Sequence, residues 1–328
     1  MMKNILVTGG AGYIGSHTVT ELIDHGYSVV VADDLSTGSE AAIDSRAKFY
    51  KLDVTNQEAF SQIFEQESID AVLHCAGKII VSESMEKPLE YYDANVTGLK
   101  NVLEVLVKYK IDKIMFSSTA SVYGNNCFDR KATEETPVAP VNPYAETKYA
   151  GERLIHWTAS RFNMRYVIFR YFNVAGASLD STNGLRVKNP THIIPNANKT
   201  ILGENHVLQI FGQDYDTKDG TCIRDYIHVL DLARAHVMGM DYLFEGQPSD
   251  LFNIGTEKGY SVTEIAQAVE RVTKRKLNYI YVDRREGDPA SVLADCSKVR
   301  SKLKWEPKYS LDDIILSDYN WRKNKNSI

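Results

Sequence analysis

The chain has 328 residues, 43% of them hydrophobic, and a formal net charge of −5. That is enough apolar material for a large core and two lobes. The mildly acidic balance excludes bulk attraction to nucleic acid, so an anionic ligand has to be held by a few placed groups.

Four cysteines, Cys75, Cys127, Cys222 and Cys296, are widely spaced and read as reduced thiols rather than disulfides or metal ligands. No run approaches the roughly 18 apolar residues of a membrane span, and the amino terminus runs directly into a strand. These features predict a cytoplasmic protein with no membrane partner and no metal. Short apolar runs at 5–8, 28–32, 48–52, 71–74, 113–117 and 165–170 read as strands. Between them lie helical patterns at 14–25, 58–66, 92–109 and 145–162. This alternation predicts an α/β fold, a doubly wound, Rossmann-type parallel sheet over 1–173. Beyond it, loops at 176–190 and 212–220 surround shorter elements, and helices at 230–244 and 263–273 and a strand at 252–254 follow. Residues 174–328 are therefore expected to form a smaller, substrate-binding α/β lobe. Segments near 228–260 are expected to pack back on the first domain, and 323–328 to fray.

Thr8-Gly9-Gly10-Ala11-Gly12-Tyr13-Ile14-Gly15 joins the first strand to the first helix. Gly9, Gly12 and Gly15 permit a tight turn and close approach of backbone to a pyrophosphate, and the helix start at Tyr13 and Ile14 supplies amide donors. A merely structural corner is the alternative for the glycines alone. Asp33 ends the second strand, where a carboxylate accepts from an adenosine ribose and repels a ribose phosphate. Asp34 follows with no arginine beside it, which favours NAD over NADP. Asp53 and Val54 follow the third strand, where an adenine would lie; for Asp53 the other role is an N-cap, to which Asn56 is better suited. Cys75-Ala76-Gly77 follows the fourth strand with side chains small enough for close approach.

Met115 to Gly124 finishes the next strand in a hydroxyl-rich loop that includes Ser117 and Thr119. Ligands gather at such strand ends, although each hydroxyl also suits a turn or cap. In Asn142-Pro143-Tyr144-Ala145-Glu146-Thr147-Lys148, a helix would put Tyr144 and Lys148 on one face, one turn apart. A phenol beside an ammonium can do proton chemistry near neutral pH.

The glycine turn, Asp33, the S-S-T-A-S-V-Y-G loop and Y-x-x-x-K, in this order, resemble the extended short-chain dehydrogenase/reductase family from residue 3 to about residue 320. The segments 87–96, 170–173, 219–229 and 284–288 look like those of its UDP-glucose 4-epimerases. The resemblance implies a retained NAD and interconversion of UDP-glucose and UDP-galactose, a step of galactose metabolism, through a 4-keto sugar. Tyr144 would be the base, its pKa lowered by Lys148 and the nicotinamide's charge, and Thr119 would hold the sugar hydroxyl. A drop of about three units amounts to roughly 4 kcal/mol. Asn95, Ser117 and Tyr171 join the cofactor set. Arg224 and Arg285 would grip the diphosphate, Asn173 would reach it, and Asp288 would take a ribose hydroxyl. Tyr226, His192 and Val292 complete the substrate set. A homodimer would form through helices 92–109 and 145–162.

Several residues depart from the family pattern or have a second reading. Lys78 falls one place early relative to a lysine of some epimerases, with Ile79 in its place, and Cys75 replaces a frequent aromatic. His192 stands where others have asparagine and equally suits a helix start. Asn95 equally suits packing inside a helix. Arg224 could pair with its neighbour Asp225, and Arg285 and Asp288 could be a solvated pair. Val292 lies where side-chain size varies in the family; its intermediate size predicts weak tolerance of UDP-N-acetylglucosamine. Alternatives are a UDP-N-acetylglucosamine or UDP-glucuronate 4-epimerase and a non-catalytic NAD-binding regulator. A dehydratase is disfavoured because Thr119-Ala120-Ser121 offers no carboxylate.

Overall fold

The computed structural model describes residues 2–127, 130–284 and 288–325. In chain order the strands and helices are β1 (Asn4–Thr8), α1 (Tyr13–Asp24), β2 (Ser28–Asp33), β3 (Lys48–Lys51), α2 (Gln57–Gln66), β4 (Ala71–His74), α3 (Val81–Glu86), α4 (Pro88–Tyr92), α5 (Gly98–Tyr109), β5 (Lys113–Ser117), α6 (Pro143–Phe162) and β6 (Arg165–Tyr171). They continue as β7 (Asn173–Ala175), α7 (Ile193–Ile201), β8 (Leu208–Phe211), β9 (Ile223–His228), α8 (Val229–Phe244), β10 (Asp250–Ile254), β11 (Gly259–Ser261), α9 (Val262–Thr273), β12 (Tyr279–Val282), β13 (Ser291–Val292), α10 (Ser297–Leu303) and α11 (Leu311–Lys325). No helix among the described residues is long and apolar enough to cross a membrane.

The chain divides into two compact units, each assembled from separated segments. The first takes residues up to Val122, Pro140–Arg170 and Ala233–Phe252. Its seven-stranded sheet has the order β10-β6-β5-β4-β1-β2-β3, and the pairings from β6 through β3 are parallel. Central strands covered on both faces need continuous apolar runs, and β1, β4 and β5 are buried almost throughout. Leu6, Val72, Ile114 and Ile168 pack with Phe60, Leu99, Val102 and Ile155 of the covering helices. Each such side chain contributes about 1.5–3 kcal/mol on burial. Val7 pairs with Val31 on one side and Leu73 on the other, so the carboxyl ends of β1, β2 and β4 open together.

The second unit takes Tyr123–Ala139, Tyr171–Leu232 and the chain from Asn253 onward. Ile194, Ala197, Ile210, Ile265, Val269, Ile314 and Ile315 form its core. The central strand is β9, flanked by β11 and β13 and paired also with β7. Its register sets Arg224 opposite both Tyr260 and Val292, and Tyr226 opposite Asn173.

Four sequence expectations need correction. The helix expected at 92–109 starts at Pro88, which suits the first helical position, and passes through a π-helical turn at Asp93–Thr97 before α5. The strand expected at 48–52 ends at Lys51, and the helix expected at 14–25 spans Tyr13–Asp24. Residues 323–325 belong to α11 rather than a frayed tail. The apolar period of α11 is masked because Ser317, Asp318 and Arg322 share its buried face: Arg322 donates twice to Asp318, which also accepts from Asn198.

Candidate active site

The glycine turn is fixed by steric need. Gly9 has φ +72°, and its amide donates to the Ala32 carbonyl at 2.8 Å. A Cβ on Gly15 would lie 2.1 Å from the Gly9 carbonyl oxygen, so α1 begins flush against the turn. Gly12 occupies the N-cap and leaves the first-turn amides of Tyr13 and Ile14 uncovered by any cap side chain. Beside the turn, Asp33 is buried, with one carboxylate oxygen accepting from Ala11 N at 2.9 Å and the other from Leu35 N at 2.8 Å. Burial pushes its pKa up, and the two amides pull against that. Asp34 is exposed and binds Ser36.

Asn56 caps α2, as its sequence position suggested; exposed Asp53 accepts from Thr55 N and Val54 is buried. Cys75 and Ala76 are half-buried and Gly77 is exposed. A Cβ on Gly77 would collide with the Asn95 side-chain oxygen at 2.7 Å. Asn95 lies in the π-helical turn, accepts from Lys78 N, and donates to Lys78 O and Thr147 Oγ1. It therefore ties the loop after β4 to α6. Amide donors at a side-chain-free helix start, with a fixed carboxylate beside them, fit a dinucleotide's pyrophosphate and ribose.

Helix α6 starts where its sequence dictates. Asn142 accepts from Ala145 N, and Pro143 takes the first helical position, which puts Tyr144 in the first turn. Tyr144 is 7% exposed and Lys148 3%. Tyr144 shares a hydrogen bond with Thr119, whose Oγ1 also donates to Ser121 Oγ and accepts from Ser121 N. Lys148 Nζ donates to the Ser117 carbonyl at 3.0 Å and lies 5.0 Å from the Phe116 ring centroid. Burial pushes Lys148 down to about 8, against the attraction of Cys75 and Glu152. Burial also pushes Tyr144 up, and only the Thr119 hydrogen bond opposes it. The expectation that Lys148 lowers the tyrosine's pKa is thus corrected, because the ammonium is turned onto the end of β5. Ser117 is buried, with its hydroxyl 3.2 Å from Cys75 Sγ and 3.3 Å from His236 Nε2. Lys78 pairs with Glu90 at 2.7 Å.

In the second unit, the nearly buried Arg224 donates to Asp288 at 2.9 Å and to the Ile223 carbonyl. A pairing with Asp225 does not form. That carboxylate points to the other face of β9 and accepts the amides of Thr256, Glu257 and Ala294. Tyr226 is buried, while Asn173, Tyr171 and Val292 are half-buried. His192 is exposed at the N-cap of α7 without capping it, and Arg285 lies outside the described residues. Asn125, Asp214, Tyr215, Asp216, Arg284 and Asp288 line an open cavity of about 640 Å³. Arg284 lies 4.4 Å from the Tyr215 ring centroid and pairs with Asp214. The sequence reading missed this stacked arginine, since nothing in the spacing of 215 and 284 signals contact. It also missed buried Glu152, although that residue repeats the four-residue period of Tyr144 and Lys148.

Residues 5–255 match the NAD dependent epimerase/dehydratase family. A UDP-glucose 4-epimerase of Lactobacillus helveticus is 44% identical over 98% of this chain and 97% of its own length. A solved UDP-glucose 4-epimerase of Bifidobacterium longum, in complex with NAD+ and UDP, is 37% identical with a TM-score of 0.94, over 99% of this chain and all of that one (100%). The UDP-Glc/GlcNAc 4-epimerase of Campylobacter jejuni is 39% identical with a TM-score of 0.86, over 98% and 99% of the two chains.

Proposed function

The chain belongs to the NAD-dependent epimerase/dehydratase family, and from that premise we propose that it interconverts UDP-glucose and UDP-galactose as a step of galactose metabolism. The observation that carries this reading is the hydrogen-bonded Tyr144–Thr119 pair one helical turn from Lys148, beside a dinucleotide turn with Asp33 at its rim.

Tyr144 takes the proton of the sugar's 4-hydroxyl, and the Thr119 hydroxyl orients that group. Burial alone would keep the phenol protonated at neutral pH. NAD, when bound, supplies the hydride acceptor and a fixed positive charge that favours the ionised phenol. The Gly12–Gly15 helix start holds its pyrophosphate and Asp33 its adenosine ribose. Asp53, Val54, Cys75, Ala76 and Gly77 would line its remaining length, and Asn95 fixes the loop around Gly77. The same Tyr144 returns its proton when the 4-keto sugar is reduced on the other face.

Reversal of face requires a firmly held nucleotide and a loosely held sugar. Arg224 suits the first condition because Asp288 and the Ile223 carbonyl fix its fork in advance. Arg285, Asn173, Tyr226 and His192 complete the grip. Val292 stands opposite Arg224 in the β9–β13 register, and its intermediate size supports weak turnover of N-acetylated substrate. The free cysteines suit a reducing cytoplasm.

A homodimer is supported by large exposed apolar side chains on α4 and α6, namely Leu89, Tyr92, Trp157 and Phe162. Helix α5 contributes differently from expectation, since its outward residues are Lys100, Glu104 and Lys108.

The test is to supply the purified protein with UDP-galactose and, in parallel, UDP-N-acetylgalactosamine without added nucleotide cofactor. Rapid formation of UDP-glucose and slow conversion of the N-acetyl sugar are expected. No UDP-glucose from a preparation that carries NAD would defeat the proposal.

A further inference from the structure

Tyr144, Lys148 and Glu152 recur every fourth residue of α6 and so form one stripe. The proposed chemistry uses Tyr144 as the base, and Lys148 holds the Ser117 carbonyl at the end of β5 beside it. Glu152 is only 4% exposed, and a carboxylate is rarely buried unless paired. Its Oε1 accepts from Ser118 Oγ at 2.5 Å and from Arg170 Nε at 2.9 Å, and its Oε2 accepts from Arg170 Nη2 at 2.5 Å. Ser118 is fully buried, and its amide donates to the Phe169 carbonyl at 2.8 Å, next to Arg170. The end of β5 is therefore tied to α6 by two successive rungs, Lys148 to the Ser117 carbonyl and Ser118 to Glu152. The next residue is Thr119, the hydrogen-bond partner of Tyr144.

A buried ion pair is weak evidence for stability, because apolar side chains of similar volume often serve as well. What this pair supplies is position and charge. We propose that Glu152, clasped by Arg170, is a positioning residue that sets Ser117–Thr119 against the catalytic face of α6 and places a carboxylate one helical turn from Lys148. This rests on the epimerase reading above.

The groups facing Lys148 from each packed element leave Glu152 as the counter-charge. Strand β4 brings His74 and Cys75, whose burial pushes the first down to about 3 and the second up to about 11, so both are neutral near pH 7. Strand β5 brings the Ser117 carbonyl and the Phe116 ring, and α8 brings His236 onto the Ser117 hydroxyl. Asp33 acts on Cys75, and Arg170 of β6 is engaged with Glu152. Tyr144 is the other titrating group of this stripe on α6. Lys148 sits at about 8 with Glu152 raising it, so removal of that charge lowers it further. The protonated form is then lost at lower pH.

The experiment is the kcat–pH profile with UDP-galactose for the parent holoenzyme, Glu152→Gln, Ser118→Ala and the double variant Glu152→Gln/Arg170→Gln. Glu152→Gln keeps an acceptor for Ser118 but removes the charge, and its alkaline limb is expected about one pH unit lower with KM within about twofold. Ser118→Ala keeps the charge and loses a rung, so its limb stays in place while kcat falls about three- to tenfold. Should Glu152→Gln not fold, because Arg170 is left unpaired, the double variant removes a net-neutral pair and is expected to move the limb in the same direction by less. An unmoved limb in the charge-removing variant, or parental kcat in Ser118→Ala, overturns the proposal. A merely structural role would lower kcat equally at every pH. An inactive parent contradicts the epimerase reading and this inference together, whereas an active parent with an unmoved limb contradicts this inference alone.

Discussion

Gly15→Ala separates helix propensity from the geometry of the cofactor turn. On propensity alone, alanine gains about 1 kcal/mol over glycine within a helix. Against this, the new Cβ would meet Gly9 O at 2.1 Å and Gly10 Cα and Gly9 C at 2.9 Å. Ordinary contact begins near 3.4 Å, so the start of α1 must retreat by about 3.4 − 2.1 = 1.3 Å. Gly9 cannot yield, because its amide is bonded to Ala32 O and a Cβ-sized space on its other side is already filled by Ala76 N. Overpacking of this kind costs about 1–3 kcal/mol, which the propensity gain largely offsets, for a net loss of roughly 0–2 kcal/mol. The effect on binding is larger, since a misplacement of about 1 Å at a built site costs on the order of a hundredfold. The assay is nicotinamide content of the purified protein together with its urea midpoint. Gly15→Ala is expected to purify largely without NAD at a nearly parental midpoint. A full parental complement of NAD in that variant would refute the steric reasoning.

Arg224→Met removes a prearranged fork and strands Asp288, so KM for UDP-galactose is expected to rise about ten- to a hundredfold with bound NAD unchanged; a parental KM contradicts the assigned grip. Trp157→Glu places a charge on the exposed apolar stripe of α6, and sedimentation is expected to give a dimer's mass for the parent and a monomer's for the variant. An unchanged mass would remove α6 from the interface.

The parts of the fold that were legible in the sequence are those where one local rule suffices. Continuous apolar runs marked β1, β4 and β5, whereas the start of α6 was placed at 145, two residues late, although Asn142-Pro143 carries the cap and first-position signals that put Tyr144 in its first turn. The second unit was harder to read. Its strands span two to six residues, too few to display a period, and β9 alternates polar Arg224 and Asp225 because both faces carry polar duties. Helix α11 hides its buried face behind the Asp318–Arg322 pair. In the site, identities and spacing gave the residues but not their directions. Lys148 was read as facing Tyr144, whereas the depth of α6 against β5 aims it at the Ser117 carbonyl. Contacts between distant segments, such as Arg284 on Tyr215 and Arg170 on Glu152, leave no periodic trace at all.

Tyr144→Phe tests the central claim, because it deletes one oxygen and little else. Thr119 keeps both of its bonds to Ser121, and the ring keeps its buried place. With folding and bound NAD verified, interconversion of UDP-galactose and UDP-glucose is expected to slow about 10²- to 10⁴-fold at unchanged KM. A variant that retains NAD and epimerises within about tenfold of the parent rate would show that the phenol is not the proton carrier.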